Sequence, residues 1–391
     1  MAHIHTTRRS VGAALGLVTG LTLAALTVST LPAAAAAPSA APAASPSTLG
    51  AARMPVGTTI SPIASTVPAN GDVNPYGVAV VPNSVGSLHR GDVLVSNFND
   101  SSNLQGTGTT IVQVSPTGTV STFADINAAD LPGACPGGVG LTTALSVLRS
   151  GWVIVGSLPT TDGMSATAQA GCLLVLDSSG KVRETFSGNG INGPWDMTAA
   201  DYGSFVQLFV TNVLNGTVAG NGTTVNQGTV LRLSLVIPYG KEPRLLTTTV
   251  IGSGFPERTD PSALVVGPTG VALSPWGTLY VADTAANRIA AIPDASWRDW
   301  SAGTGDTVTE GGALNAPLGL AIGNDDSILT VNGGDGYLVA TSGWGRQIQK
   351  VLLDSTGTPP GAGALFGLAV SPWGKGVYFV DDDLNNLNLL H

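Results

Sequence analysis

The chain has 391 residues, including 52 Gly and 25 Pro, and only 10% of it is charged. Gly and Pro interrupt helices, and so few charges cannot solvate long helical faces, which excludes coiled coils, helical bundles and charged disordered tails. Sixteen Lys and Arg against 25 Asp and Glu give a formal charge of −9, which argues against nucleic acid and anionic membranes as partners, since both would repel the chain.

Arg8 and Arg9 precede an apolar run from Val11 to Leu31 and an Ala-rich stretch, Ala33 to Ala37, with several small-residue cleavage choices. Residues 1–37 read as an export signal, with an uncleaved anchor as the alternative. Thr7 to Val11 partly matches a twin-arginine signal, but Gly12 stands where that motif prefers a bulky apolar residue, so the export route stays open. Residues 38–57 form an Ala/Pro/Ser-rich spacer and 58–391 the folded body. The expected location is secreted or extracytoplasmic, with no membrane insertion once the signal is cleaved. Cys135 and Cys172 are the only cysteines, and an even pair in an oxidising compartment forms one disulfide. A zinc site or catalytic thiol would want His, and beyond the signal only His89 and His391 remain.

The body repeats. Gly270-Val-Ala-Leu-Ser-Pro-Trp-Gly-Thr-Leu-Tyr-Val-Ala-Asp283 is an apolar strand, a turn and a second strand ending in Asp, and Gly367 to Asp381 repeats it almost residue for residue. Further copies start at Gly77, Thr142, Asp196 and Gly319, so the spacings are 65, 54, 74, 49 and 48 residues, the length of one four-stranded sheet with its loops. Six such units predict an all-β, six-bladed β-propeller of four-stranded antiparallel blades. The Pro-punctuated stretch from Pro238 to Pro261 reads as an insertion. After Asp381 only one more strand fits, Asn386 to Leu390, so the sixth blade needs an outer strand from Thr58 to Val67, which closes the ring by pairing the N-terminal strand with the last blade.

Gly267-Pro-Thr-Gly-Val-Ala-Leu273, followed by Leu279-Tyr-Val-Ala-Asp283 and Asn287-Arg288-Ile289, resembles the NHL-repeat family of propellers. One copy matches fully, three in part and two in outline. The resemblance implies the fold and leaves the activity open, because that family contains scaffolds, sensors and enzymes.

Residues just before each inner-strand start form a ring at the channel mouth. In it Tyr76, Trp195 and Phe366, with Asp196 in place of the usual Gly, are ligand-binding candidates that make a cup, or else pack between blades. The second-strand ends form another ring, Asn97, Ser157, Asn212, Asp283, Asn332 and Asp381, suited to bonding the following turns. Asp283, Asp381, Asp382 and Asp383 are weak candidates for calcium or another divalent metal, whose ligands are oxygens. On the opposite face Trp152, Trp276, Trp344 and Trp373 mark turns, either folded back on their blades or free for a protein or glycan.

No catalytic signature such as G-x-S-x-G or H-E-x-x-H is present. The preferred expectation is therefore a monomeric, non-enzymatic binding scaffold that takes a protein, glycan or small molecule and needs no cofactor. The alternative is a metal-dependent propeller hydrolase or lyase of the lactonase or strictosidine-synthase-like kind, with Asp196 essential.

Overall fold

In the computed structural model residues 56–391 are described, apart from Ser262, Trp373 and Lys375. The expected export signal and all but the last two residues of the spacer lie outside the described residues.

Six antiparallel sheets follow one another along the chain. Their inner strands are Val73–Val80, Leu141–Val147, Pro194–Asp201, Pro268–Leu273, Pro317–Ile322 and Leu365–Val370, and each lies against the inner strands of the two neighbouring blades. This is a closed six-bladed propeller, as the repeat spacing predicts. The second strands are buried along almost their whole length, as in Val93–Asn99 and Val153–Ser157, and their Val, Leu and Ile side chains fill the space between blades.

The Gly that opens most repeats has a steric cause. A Cβ on Gly270 would collide with the Leu318 carbonyl, one on Gly319 with the Phe366 carbonyl and one on Gly367 with the Tyr76 carbonyl. Each Gly therefore lets one inner strand approach the backbone of the next around the axis. A register shift between first and second strands falls at this point in every blade, for example between Pro268 and Val271 and between Pro317 and Leu320.

Ring closure follows the expected scheme. Ile60–Ser65 pairs antiparallel with Asn386–Leu390, giving the sheet order N-terminal strand, third, second and inner strand. Reciprocal backbone bonds between Thr59 and His391, at 3.0 and 2.9 Å, extend the ladder.

Blade 3 departs from the repeat. The stretch expected to be an insertion is instead a 17-residue strand, Arg244–Asp260, because Leu245 to Ile251 is a β-branched and apolar run. It serves as the outer strand of blade 3 and continues past the sheet to pair with Leu264–Val266, through Arg258 with Val266 and Asp260 with Leu264. This extra hairpin reaches the face on which the inner strands start. That face also carries the connections from second to third strands and from blade to blade, and is called here the loop face. The other, carrying the turns within each pair of adjacent strands, is the turn face.

Cys135 and Cys172 form a disulfide with Cα atoms 5.2 Å apart, tying the segment before the inner strand of blade 2 to the start of its third strand. The sequence separation is 37 residues, so a Cys135→Ser/Cys172→Ser variant loses about 3–4 kcal/mol in denaturant unfolding by the chain-entropy argument. Deleting residues 58–67 strips the last blade of its outer strand and exposes a sheet edge. The expected drop in melting temperature is about 10 °C or more, and an unchanged melt by calorimetry would refute this closure.

Candidate functional site

The three aromatics of the predicted cup do meet, but they fill the space a ligand would need. Tyr76 stacks on Phe366 with ring centroids 3.8 Å apart and on Phe98 at 4.4 Å, and Trp195 lies 6.3 Å from both Tyr76 and Phe366. The extra hairpin of blade 3 covers them. The Trp195 indole donates to the Val265 carbonyl at 3.0 Å, and Leu264, held at a positive φ of 61°, is buried in the same cluster. Tyr76, Trp195 and Phe366 are at most 3% exposed. The trio is thus a plug in the loop-face end of the channel: of the two expectations, a cup and packing between blades, the structure shows the packing.

Beyond the plug the channel is open. A cavity of about 350 Å³ runs along the later halves of all six inner strands, lined mainly by small and apolar side chains such as Val78, Val271 and Leu320. At the strand ends Val80, Val147, Leu273, Ile322 and Val370 are partly exposed, so the mouth lies on the turn face. Among the described residues no Lys, Arg or His lines this cavity, and Asp196 is its one charged residue.

Asp196 stands where most other blades have the packing Gly. Its side chain fills the gap between inner strands. One carboxylate oxygen accepts the N–H of Met197 at 2.7 Å, and the other reaches blade 4 and accepts the N–H of Val271 at 3.0 Å. The Asp196 N–H donates to the Thr211 hydroxyl, which in turn donates to the Thr269 carbonyl. Burial raises the Asp196 pKa to about 7, with the two backbone donors opposing the shift. Thr143, on the inner strand of blade 2, also lines the cavity, and its buried hydroxyl has no protein partner. The channel wall therefore holds a carboxyl poised to exchange a proton near neutrality, while the Thr143 hydroxyl is enclosed within the wall.

The other acidic candidates lie elsewhere and diverge. Asp283, in blade 4, is fully buried and accepts from Arg288 Nε at 2.9 Å, while Arg288 also bonds Thr307 and the Thr304 carbonyl. That ion pair explains the repeat's pairing of a strand-ending Asp with Asn-Arg. Asp381 accepts the Leu384 N–H, and Asp383 accepts the Thr356 hydroxyl. Asp382 faces Asn74, whose amide, turned so that its nitrogen meets the carboxylate, donates at 2.8 Å and accepts from Asn99 at 2.9 Å. Asn97, Asn212 and Asn332 in the same ring bond backbone carbonyls of the loop face.

Among the described residues no group of three or more His, Cys, Asp or Glu is arranged to hold a metal ion. Calcium takes about six to eight oxygens, whereas Asp196 is the only channel carboxylate and both its oxygens already accept backbone N–H groups. The donor set does not fit a metal, and no step is routed through one.

Three features escape a reading of the sequence. The covering hairpin is built by residues 244–266, Thr143 is an ordinary strand residue in the repeat, and Glu257 is a fully buried carboxyl on the long strand. Glu257 accepts the Asn215 N–H at 3.0 Å, and burial raises its pKa to about 8.

Solved structures share this fold. A putative oxidoreductase (glucose dehydrogenase) from Thermus thermophilus matches with a TM-score of 0.53 and 14% identity, over 86% of this chain and 100% of that one. A gluconolactonase from Xanthomonas campestris matches at 0.51 and 14%, over 86% and 96%. Regucalcin from Agrobacterium tumefaciens, described as a calcium-binding protein, gives 0.49 and 13%, over 83% and 92%. No family model matches the sequence, and no curated protein matches it. Identity this low speaks to the fold, a six-bladed β-propeller with a channel closed at one end.

Two expectations are corrected here. The non-enzymatic scaffold gives way, because structural neighbours of this fold are a gluconolactonase and a dehydrogenase-like propeller and the channel contains an acid–base group. The expectation that no cofactor is needed is withdrawn together with the scaffold reading to which it belonged.

Burial raises the pKa of four carboxyls, to about 7 for Asp196, about 8 for Glu257, about 6 for Asp381 and about 8 for Asp382. Between about pH 4 and 8 the folded chain thus binds more protons than the unfolded one, and stability falls as pH rises through these values. Thermal melts from pH 5 to 8.5 are expected to decline, with a shallower slope in Glu257→Gln. A flat or rising profile would contradict the assignment.

Proposed function

We propose that the chain is a propeller enzyme of the hydrolase or lyase kind, acting on a small uncharged lactone or ester held in the blind channel. The observation that carries this reading is Asp196, a buried carboxyl with a pKa of about 7 on the wall of a cavity of about 350 Å³ that has no other ionisable side chain among the described residues. In its ionised form Asp196 takes a proton from a water attacking the ester carbon, or from a carbon beside the carbonyl. In its protonated form it returns that proton to the leaving oxygen. A channel lined by no Lys, Arg or His among the described residues disfavours phosphorylated or carboxylated substrates, whose charge would face Asp196.

The wider proposal is an NHL-type propeller exported by the segment 1–37, released as a monomer and stabilised by one disulfide outside the cytoplasm. The amino terminus of the mature protein, read by mass spectrometry, tests this part.

Asp196→Asn keeps the shape and removes the base. On a panel of γ- and δ-lactones it is expected to lower kcat/KM by about 10²–10⁴-fold in protein that remains folded, with a melting temperature lowered by a few degrees because the amide nitrogen cannot accept one of the two backbone N–H groups. The wild-type kcat/KM should rise with pH through an apparent pKa near the Asp196 value of about 7. Assays with added calcium and with chelator separate channel chemistry from metal chemistry. Turnover retained in Asp196→Asn and lost on chelation would overturn this reading.

A further inference from the structure

The two faces of the propeller differ in charge and in aromatic content. Among the described residues, the loop-face connections contain eight acidic residues, no Lys or Arg and no aromatic residue. The turn-face connections contain seven acidic residues against six Lys or Arg, including Arg298 beside Trp297 and Arg346 beside the Trp344 turn.

The exposed aromatics gather on the turn face. Trp276 is 82% exposed at the first turn of blade 4, Trp297 and Trp300 are 82% and 70% exposed in its second, and Trp344 is 98% exposed in blade 5. Tyr202 and Tyr239 are exposed on the two turns of blade 3. Of the four turn Trp residues predicted from sequence, Trp276 and Trp344 project, Trp152 packs partly against its own blade and Trp373 lies outside the described residues. Isolated surface aromatics are ordinary, but several on consecutive blades of one face mark a docking surface.

We propose that the turn-face rim of blades 3 to 5, to one side of the channel mouth, docks on the interfacial zone of a lipid bilayer. Trp and Tyr are the side chains that partition to that zone, where an apolar ring lies in the acyl boundary and its N–H or O–H stays hydrated. The rings sit on separate turns of three consecutive blades, and none lines the channel, so they do not form the row of stacked platforms a sugar chain requires. A fluid surface accommodates such scattered anchors. Charge sets the orientation: an anionic bilayer repels the acidic loop face and meets a nearly neutral turn face. The whole-chain charge argues against anionic membranes, but its excess lies on the side turned away.

Tryptophan fluorescence of the full chain reads this surface, since residues 1–55 contain no Trp. With vesicles of phosphatidylcholine and phosphatidylglycerol, a blue shift in emission and quenching by brominated lipid are expected. The Trp276→Ala/Trp297→Ala/Trp344→Ala variant, which removes only exposed rings, should keep its melting temperature and lose about tenfold or more of the quenchable signal at a fixed lipid concentration. Met164→Ala/Leu384→Ala on the loop face should match the wild type. The proposal is overturned if vesicles leave wild-type emission unchanged, if the triple variant's remaining Trp residues are quenched as strongly as the wild type, or if an insoluble polysaccharide shifts the emission and vesicles do not.

Discussion

The close approach of six inner strands around one axis governs this molecule. Backbone meets backbone there, so most blades need Gly at the contact, and the sequence repeats Gly at the interval of one blade. Asp196 is the exception. A carboxyl in place of hydrogen must find donors inside a crowded wall, and it finds them on its own strand and the next, at the cost of losing water. Packing and reactivity thus have one origin, since the contact that demands Gly elsewhere desolvates the acid here.

The channel's polarity follows from blade 3. Its outer strand runs on beyond the sheet and folds back as a hairpin, placing Leu264 and Val265 over Tyr76, Trp195 and Phe366. Without this cover the aromatic stack would be exposed to water, and with it the loop-face end is sealed. The loop face is then left with structural carboxylates bonding loops, as in the Asp283–Arg288 pair, while the passage to Asp196 opens on the turn face.

Much of the architecture is legible in the sequence because it is periodic. The Gly-x-Ala strands, the Asp-ended second strands and the orphan strand near Thr58 specify six blades and their closure, and the disulfide follows from a lone cysteine pair. Asp196 is legible as a break in the period. What stays hidden is set by contacts between non-repeating segments. Nothing local says that Leu264–Val266 will pair outside the sheet, so a filled plug and an open cup look alike at Tyr76, Trp195 and Phe366. The separation of charge between faces likewise emerges only when every connection is assigned to its side, since the chain total conceals it.

A passage with one door has a kinetic meaning. Whatever reaches Asp196 must leave the way it came, so under the proposed hydrolase or lyase reading product and incoming substrate exclude one another, and retained product would compete with substrate for the channel. The same geometry forbids threading: a polymer cannot be pulled through and cut internally. Only a whole small molecule, or the free end of a longer one, can present its reactive bond at the depth where Asp196 lies.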